Sequence, residues 1–519
     1  MEPLVLQIQD IARTLKALDP SSAAGADELH PALLKACADQ LAYPMLLVFR
    51  LSLAEGRLPV LWKSSLVVPI FKKGTKYDPL NYRPISLTSV ACKCLERLIN
   101  RHLTTYLEDN NILTDNQFGF RAGRSTMDQL LIVYNDISLW LDGGHAVDLI
   151  LFDFSKAFDL VSHPILLRKL QLLGMDPQLL IWIEAFLTSR TMTVSVKDKL
   201  SSPRLVGSGV PQSSVLGPTL FLVFVNHIAA HLSCQYKIFA DDLKIYLKVS
   251  SPNSDNHLQH AQTCQNDINI LERTAHSWGL RLNRDKCVVL RFQRNASPAP
   301  PPQYHINQTK IRVESSHADL GVLVSSDLKF HQHISNTARK AAGLTQNLLK
   351  STVCRTPKFM MTLFCSHVRP IIEYCSCVWN TGYVGDLRLL ESVQRRWTKS
   401  VHGLASQDYK SRLRSLDQYS TQGRLLRADL IQCWKIFHGK CSVASEDLFL
   451  MAPPTGTRGH RFKVCHTRAQ TDVRKRSFSM RVVSTWNSLP DCAVSEIDYR
   501  CFKTKLADAL GEQLYEFPP

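Results

Sequence analysis

An α+β fold, with a mixed sheet carrying helices on one face and a mainly helical second half, is what the sequence predicts. Between residues 147 and 249, short apolar runs alternate with segments whose apolar residues recur at helical spacing. Beyond Asp327 helical spacing dominates to about residue 450. The chain has 519 residues, 45% apolar and 21% charged, which makes it globular but too long for one compact core, so several subdomains are expected.

Residues 1–60 read as helices. Ile8, Ile11, Leu15 and Leu18 keep helical spacing, a turn follows at 21–27, and a second periodic segment spans 29–53. A strand over 66–71 leads into the basic loop Lys72-Lys73-Gly74, and 91–107 is again an amphipathic helix. Residues 147–152 form an apolar run that Asp153 breaks where a strand should stop. The most apolar stretch, 215–230, contains Pro218, Asn226 and His227 and falls short of a membrane span, so a buried helix is expected there and no membrane partner. Residues 236–246 read as a hairpin, two β-prone arms with Asp241 and Asp242 at the tip. Residues 294–303 are proline-rich and expected to be an exposed loop. The stretch 453–481 is rich in Arg, Lys and Gly, a composition typical of solvated surface and also suited to touching nucleic acid.

A formal net charge of +17 favours a polyanionic partner. The fifteen cysteines are scattered and no signal peptide opens the chain, so a reducing, intracellular setting (nucleus or cytoplasm, not secreted) is expected. Cys92/Cys94 and Cys375/Cys377 are separated by single residues and no C-x-x-C pair occurs, which argues against structural zinc.

The chemistry concentrates on three aspartates. If the strand ending at Asp153 neighbours the hairpin of Asp241 and Asp242, their carboxylates meet at one sheet edge and can hold two Mg²⁺ about 4 Å apart. One ion would lower the pKa of an attacking hydroxyl, and the other would neutralise a leaving pyrophosphate. A lone Asp-Asp pair is more often a solvated turn; Asp153 in its flanking context reverses that balance.

Six motifs appear in order: Asn81-Tyr82-Arg83-Pro84-Ile85-Ser86-Leu87, Gln117-Phe118-Gly119-Phe120-Arg121, Asp153-Phe154-Ser155-Lys156-Ala157-Phe158-Asp159, Ser208-Gly209-Val210-Pro211-Gln212, Phe239-Ala240-Asp241-Asp242 and Leu320-Gly321. Together they resemble the reverse transcriptases of non-LTR retrotransposons, the long interspersed element kind, in the jockey-like or chicken-repeat-like branch. Trp486-Asn487-Ser488-Leu489-Pro490 resembles the C-terminal region of the same elements. The resemblance implies a right-hand polymerase: 1–52 as a helical extension of the fingers, 53–325 as fingers and palm, 326–400 as a helical thumb, and 401–519 as a basic region suited to RNA. It implies an RNA-directed DNA polymerase that adds dNTPs to the 3′-hydroxyl of a DNA primer or RNA–DNA hybrid on an RNA template, using Mg²⁺ with Mn²⁺ as a substitute. The sequence does not speak to oligomeric state.

The same resemblance assigns roles. Asp153 and Asp241 would bridge both ions, Asp242 would support one ion or the primer end, and the Phe154 backbone carbonyl would add an oxygen ligand. Phe158 would lie beneath the incoming sugar and collide with a ribose 2′-hydroxyl, which argues against Asp159 binding that hydroxyl. Lys72, with Lys73 as an equal alternative, and Arg83 would complement the triphosphate, and Gln212 would also contact the dNTP. Arg121 would contact the template or brace the fingers, with Gly119 and Gly123 permitting close backbone approach. Lys286, within the motif-like segment 278–287, is a candidate general acid toward pyrophosphate. Gly321 would permit the tight turn of a hairpin gripping the primer end.

Two departures stand out. The family carries Gly after the motif glutamine, whereas this chain has Ser213, and a side chain where φ is positive or contact is close costs roughly 1 to 3 kcal/mol. The family's endonuclease would lie upstream, and the chain, beginning almost at the first polymerase helix, is expected to lack it. Both motivate an alternative, a catalytically impaired nucleic-acid-binding remnant. An RNA-directed RNA polymerase is disfavoured by Phe158 and by Ala240, where that class usually carries Gly. Trp397, Trp434 and Trp486 suit burial, the commoner state, or stacking on unpaired bases. Arg474-Lys475-Arg476 is too short a run to assert nuclear entry.

Overall fold

Two mixed sheets organise the first 325 residues. The computed structural model describes residues 1–72, 74–197, 199–249, 256–294, 302–453 and 459–517. Helices α1 (Ile8–Lys16), α2 (Pro31–Ala36) and α3 (Ala38–Glu55) precede the first sheet. There β1 (Ser64–Phe71) pairs antiparallel with β2 (Tyr82–Leu87) and parallel with a later strand, β4 (Arg190–Val196). The far side of β4 carries the short β5 (Lys199–Leu200) and β6 (Arg204–Val206). Helix α4 (Val90–Asp109) follows β2, capped by the Ser89 hydroxyl, which accepts from the Cys92 N–H.

The central sheet has the order β12 (Arg312–Glu314), β9 (Val288–Phe292), β3 (Ala146–Phe152), β8 (Asp242–Val249), β7 (Gln235–Phe239). Only β12 and β9 run parallel. Two small hairpins, β10 (His305–Ile306) with β11 (Thr309–Lys310) and β13 (Ser316–Asp319) with β14 (Val322–Ser325), complete the strands.

The expectation of helices on one face of the sheet is corrected by the packing. Val147, Leu149, Tyr246 and Leu290 join one apolar cluster, while Ile150, Phe152, Ile245 and Val289 join another on the opposite face. Helix α5 (Thr126–Asp142) lies in the first cluster. The second contains α6 (His163–Leu172), α7 (Pro177–Leu187), α8 (Gly217–Val225) and the C-terminal part of α9 (Asn256–Ser277). The reason is written in β3: the unbroken run Leu149-Ile150-Leu151-Phe152 suits a strand buried on both sides, not one facing water. Asp148 survives within that strand because Arg291 stands directly opposite on β9 and pairs with it, and Tyr304 Oη donates to it at 2.7 Å. The apolar stretch read as a buried helix is α8, whose residues are almost all buried.

From α10 (His331–Ser351) onward the regular elements are helices, apart from one bridge between Met451 and Val464. They continue well past residue 450, through the helix Tyr499–Leu510 to a 3₁₀ helix over Gly511–Tyr515. The solvated-surface reading of 453–481 fits exposed residues such as Arg468 and Lys475 and is corrected for others. Arg474 is buried and donates to Asn135 and Ser138 of α5, and Asp142 at the end of α5 accepts the N–H groups of Gln470 and Thr471. Residues 454–458 of that stretch, and 295–301 of the proline-rich loop, lie outside the described residues. Trp397, Trp434 and Trp486 are 0%, 1% and 0% exposed, so none of them is a stacking platform. The Arg474-Lys475-Arg476 run is likewise no free signal, since Arg476 pairs with Asp472 and lies over the Tyr383 ring. The apolar cluster that includes α5 runs from Phe118 to Leu514.

Candidate active site

The hairpin of β7 and β8 turns through only two residues, Ala240 and Asp241, between the paired Phe239 and Asp242. Ala240 has φ +57°, a conformation that usually takes glycine and that a Cβ makes costly by about 1–2 kcal/mol. Gln117 offsets that strain. Its buried side-chain oxygen accepts the N–H of Ala240 at 2.9 Å and of Gly119 at 2.9 Å. Phe118 N–H donates to the Ile238 carbonyl, and Ile238 N–H donates to the Asn116 carbonyl, both at 2.8 Å. Gly119 is required here because a Cβ would collide with the Ala240 backbone. The segment 117–119 is thus a latch under the acidic turn, and Gln117 is a positioning residue that the sequence reading missed. Only its place beside Gly119 in one motif could have hinted at this.

Strand register brings the carboxylates together. Phe152 pairs with Leu243, so one step further Asp153 stands opposite Asp242, on the face shared by Leu151 and Lys244. Asp241 sits in the adjoining turn. Burial pushes the Asp241 carboxyl above its ordinary range, Asp153 adds to the rise, and Lys72 and Arg83 oppose it. Asp242 is pushed up to about 6, by burial first and by Asp241 next. Its side chain keeps an exposed edge, so no stability figure is attached to that shift. Asp153 is turned to Lys286, whose Nζ lies 2.9 Å from Oδ2. As they stand, no three His, Cys, Asp or Glu side chains among the described residues form a ready ligand set. The donor chemistry nevertheless fits a hard divalent cation: the groups are all oxygens, two of them are held above their ordinary pKa by burial and then by neighbouring carboxylates, and the third is already paired with a cation. The Phe154–Leu282 bridge is flanked by Asn283 N–H to Asp153 O and Ser155 N–H to Arg281 O. The Phe154 carbonyl therefore faces away from Leu282, toward the β8 side of β3.

A pH dependence follows. A folded-state pKa above the ordinary aspartate value means that Asp242's own contribution to metal-free stability is present at low pH and is lost as pH rises through about 6. A divalent cation must displace the same proton. Its apparent affinity is expected to fall about tenfold per pH unit below 6, checked by Mg²⁺ titrations between pH 5 and 8.

Around the aspartates, the loop 208–213 docks on the segment after β3. Val210 N–H donates to the Phe158 carbonyl and Gly209 N–H to the Val161 carbonyl, both at 2.9 Å, and a Cβ on Gly209 would sit 2.8 Å from Asp159 Cα. Phe158 stacks on Phe221, with centroids 4.1 Å apart, and meets Phe120 edge-on at 6.1 Å. Gln212 donates from Nε2 to Asp159 at 2.8 Å, and its carbonyl accepts from Ser86 N–H of β2. Asp159 thus holds Gln212, a partnership that was not foreseen, and leaves the Gln212 side-chain oxygen and its second amide hydrogen to a ligand. Lys72 and Arg83, at the loop end of the β1–β2 hairpin, are exposed and form no ion pair among the described residues. Lys73 lies outside the described residues.

Ser213 has φ +75°, the backbone state for which glycine is suited. Ser213→Gly is expected to stabilise the protein by about 1 kcal/mol and to raise synthesis, measured by thermal melting and primer extension.

One alternative for Arg121 is corrected. Its side chain is 5% exposed and donates to both oxygens of Glu108 and to the carbonyls of Leu113 and Thr114, so it braces the loop before α5 and cannot reach a template. Gly123 meets nothing within 4 Å, and its φ of +74°, not close approach, accounts for glycine. Gly321, with φ +85°, and Leu320, with φ +45°, form the two-residue turn between β13 and β14. Glu96 was not singled out. It is fully buried in α4 and accepts the N–H groups of Val215 and Leu216, fixing the chain just after Ser213.

The family profile described as reverse transcriptase (RNA-dependent DNA polymerase) matches residues 70–358. The RNA-directed DNA polymerase from mobile element jockey of Drosophila melanogaster is 32% identical over 417 residues, which are 76% of this chain and 44% of that protein. A probable RNA-directed DNA polymerase from transposon BS of the same fly is 28% identical over 411 residues, with coverage of 76% and 44%. The jockey polymerase of Drosophila funebris is 29% identical over 338 residues, 63% of this chain and 36% of that protein. The chain spans less than half the length of these relatives. No helix among the described residues is long and apolar enough to cross a membrane. With a family match over more than half its length and the six motifs gathered around one acidic turn, the chain belongs to the reverse transcriptase family, on the non-LTR retrotransposon side that the motifs resemble.

Proposed function

We propose that the chain is an RNA-directed DNA polymerase that extends a primer 3′-hydroxyl with deoxynucleotides on an RNA template. One observation carries this reading: three carboxylates at the adjoining ends of β3, β7 and β8, with Asp241 opposed electrostatically by Lys72 and Arg83 from the first sheet. Asp153 and Asp241 would hold Mg²⁺, or Mn²⁺ in its place, with Asp242 and the Phe154 carbonyl in support. When bound, the metal supplies Lewis acidity toward the primer hydroxyl and countercharge for pyrophosphate. Lys72 and Arg83 clamp the triphosphate, and Phe158 leaves no room for a 2′-hydroxyl. Lys286, whose Nζ lies 2.9 Å from Asp153, would be the proton donor to the departing pyrophosphate. The proposed division is a helical extension of the fingers over 1–52, fingers and palm over 53–325, a helical thumb over 326–400 and a basic C-terminal region over 401–519. The proposed setting is intracellular, nucleus or cytoplasm.

The φ of Ser213 favours one second reading, an impaired nucleic-acid-binding remnant. Primer extension on poly(rA)/oligo(dT) with dTTP decides between them. Synthesis by the unsubstituted protein supports the polymerase. Synthesis only after Ser213→Gly supports the remnant, and none from either protein across Mg²⁺ and Mn²⁺ titrations overturns the polymerase reading.

A further inference from the structure

Lys244 is a charged residue in the middle of an apolar strand. It lies two positions along β8 from Asp242, on the same face, and is 1% exposed. Its Nζ sits 2.5 and 2.6 Å from the two carboxylate oxygens of Asp319, which is 4% exposed, and Tyr134 Oη of α5 donates to Asp319 Oδ2 at 2.7 Å. The Asp242 carboxyl responds to both members of the pair, so the pair stands within electrostatic reach of the acidic turn.

Asp319 is the last residue of β13, immediately before the Leu320-Gly321 turn. That turn is held from the other side by Tyr374, whose hydroxyl donates to the Leu320 carbonyl at 2.9 Å. β13 and β14 form their own two-stranded sheet, outside the central one. No ladder hydrogen bonds therefore fix their register against β8, and the buried Lys–Asp–Tyr cluster supplies that connection. An ion pair withdrawn from water gains little over a well-packed apolar set of the same volume. Its directional bonds do define where the Leu320-Gly321 turn sits relative to Asp242, which an apolar set would not.

We propose that Lys244, Asp319 and Tyr134 are positioning residues that set the Leu320-Gly321 turn against the aspartates, and so place the terminal sugar of a primer for attack. The inference rests on the polymerase reading and adds to it the device that aligns the primer end. None of the three touches the reacting atoms; they act through the hairpin turn.

The test replaces the cluster by an apolar set of matched volume, Tyr134→Phe/Lys244→Met/Asp319→Leu, beside the mild single change Tyr134→Phe. The triple variant is expected to melt no lower than the unsubstituted protein, to keep its KM for dTTP, and to lose about tenfold in kcat/KM for the primer–template, because small misplacements of reacting groups are heavily penalised. Tyr134→Phe should shift the same parameter about threefold in the same direction. Anisotropy of a fluorescein-labelled primer–template gives a second readout that needs no turnover, with a faster off-rate expected for both variants. Unchanged primer kinetics in a folded triple variant, or losses equal for dTTP and primer, would overturn the proposal. If the triple variant fails to fold, Tyr134→Phe decides: no change in primer kcat/KM or off-rate also overturns it. Absence of synthesis by the unsubstituted protein instead counts against the polymerase reading, and the off-rates of the variants still judge the cluster.

Discussion

Asp241→Asn is expected to abolish primer extension, by at least about 10³-fold, while raising the metal-free melting temperature at pH 7. The two effects share one cause. The Asp241 carboxyl is held above its ordinary range by burial and by Asp153, so its negative charge is unfavourable in the folded protein until a cation is present. Asn keeps the shape of the turn, and Gln117 still holds the Ala240 N–H beneath it. Charge is then the only thing lost: the fold gains and the chemistry fails. Primer extension and differential scanning fluorimetry in EDTA measure the two sides. A variant that is inactive and also less stable would mean that Asp241 braces the turn; one that still synthesises DNA would remove the carboxylate from the mechanism.

Phe158→Val is expected to raise ribonucleotide use relative to deoxynucleotide use by about 10- to 100-fold, the range that a steric contest over one small group supports. The ring is well placed to be rigid. It is stacked on Phe221 at 4.1 Å, approached edge-on by Phe120, and its carbonyl accepts the Val210 N–H. A ring stacked on one face and met by a second ring in a T-shaped contact has little freedom to swing aside for a 2′-hydroxyl, and shortening it opens the space. The lost stacking should also lower stability by roughly 1–3 kcal/mol. Parallel extension with rNTPs and dNTPs measures the ratio. An unchanged ratio at reduced stability would return Phe158 to ordinary core packing.

The strands and hairpin that present the aspartates were legible because they break a local pattern. Asp153 ends an apolar run, and Asp241 and Asp242 interrupt two β-prone arms, so composition and position speak together within a dozen residues. Ser213 was legible for a similar reason: a side chain where glycine is expected predicts a positive φ, and the backbone adopts one. What escaped detection is tertiary. Gln117 reaches Ala240 across 123 residues, and Tyr134 reaches Asp319 across 185. No periodicity encodes such partners, and a lysine in a strand looks the same whether it faces solvent or a buried carboxylate. The basic C-terminal stretch misled through averaging, because Arg474 and Arg476 contribute equally to composition although one is buried against α5 and the other covers a tyrosine ring.

The apolar cluster shared by α5 and the helices near the end of the chain has a consequence for biosynthesis. Its members reach as late as Leu506, Leu510 and Leu514, so the cluster that begins at Phe118 is not complete until translation has run almost the whole length described. A nascent polypeptide that stalls or is clipped before those residues emerge presents a greasy, unfinished flank. Quality-control proteases and aggregation will then compete with completion of the enzyme.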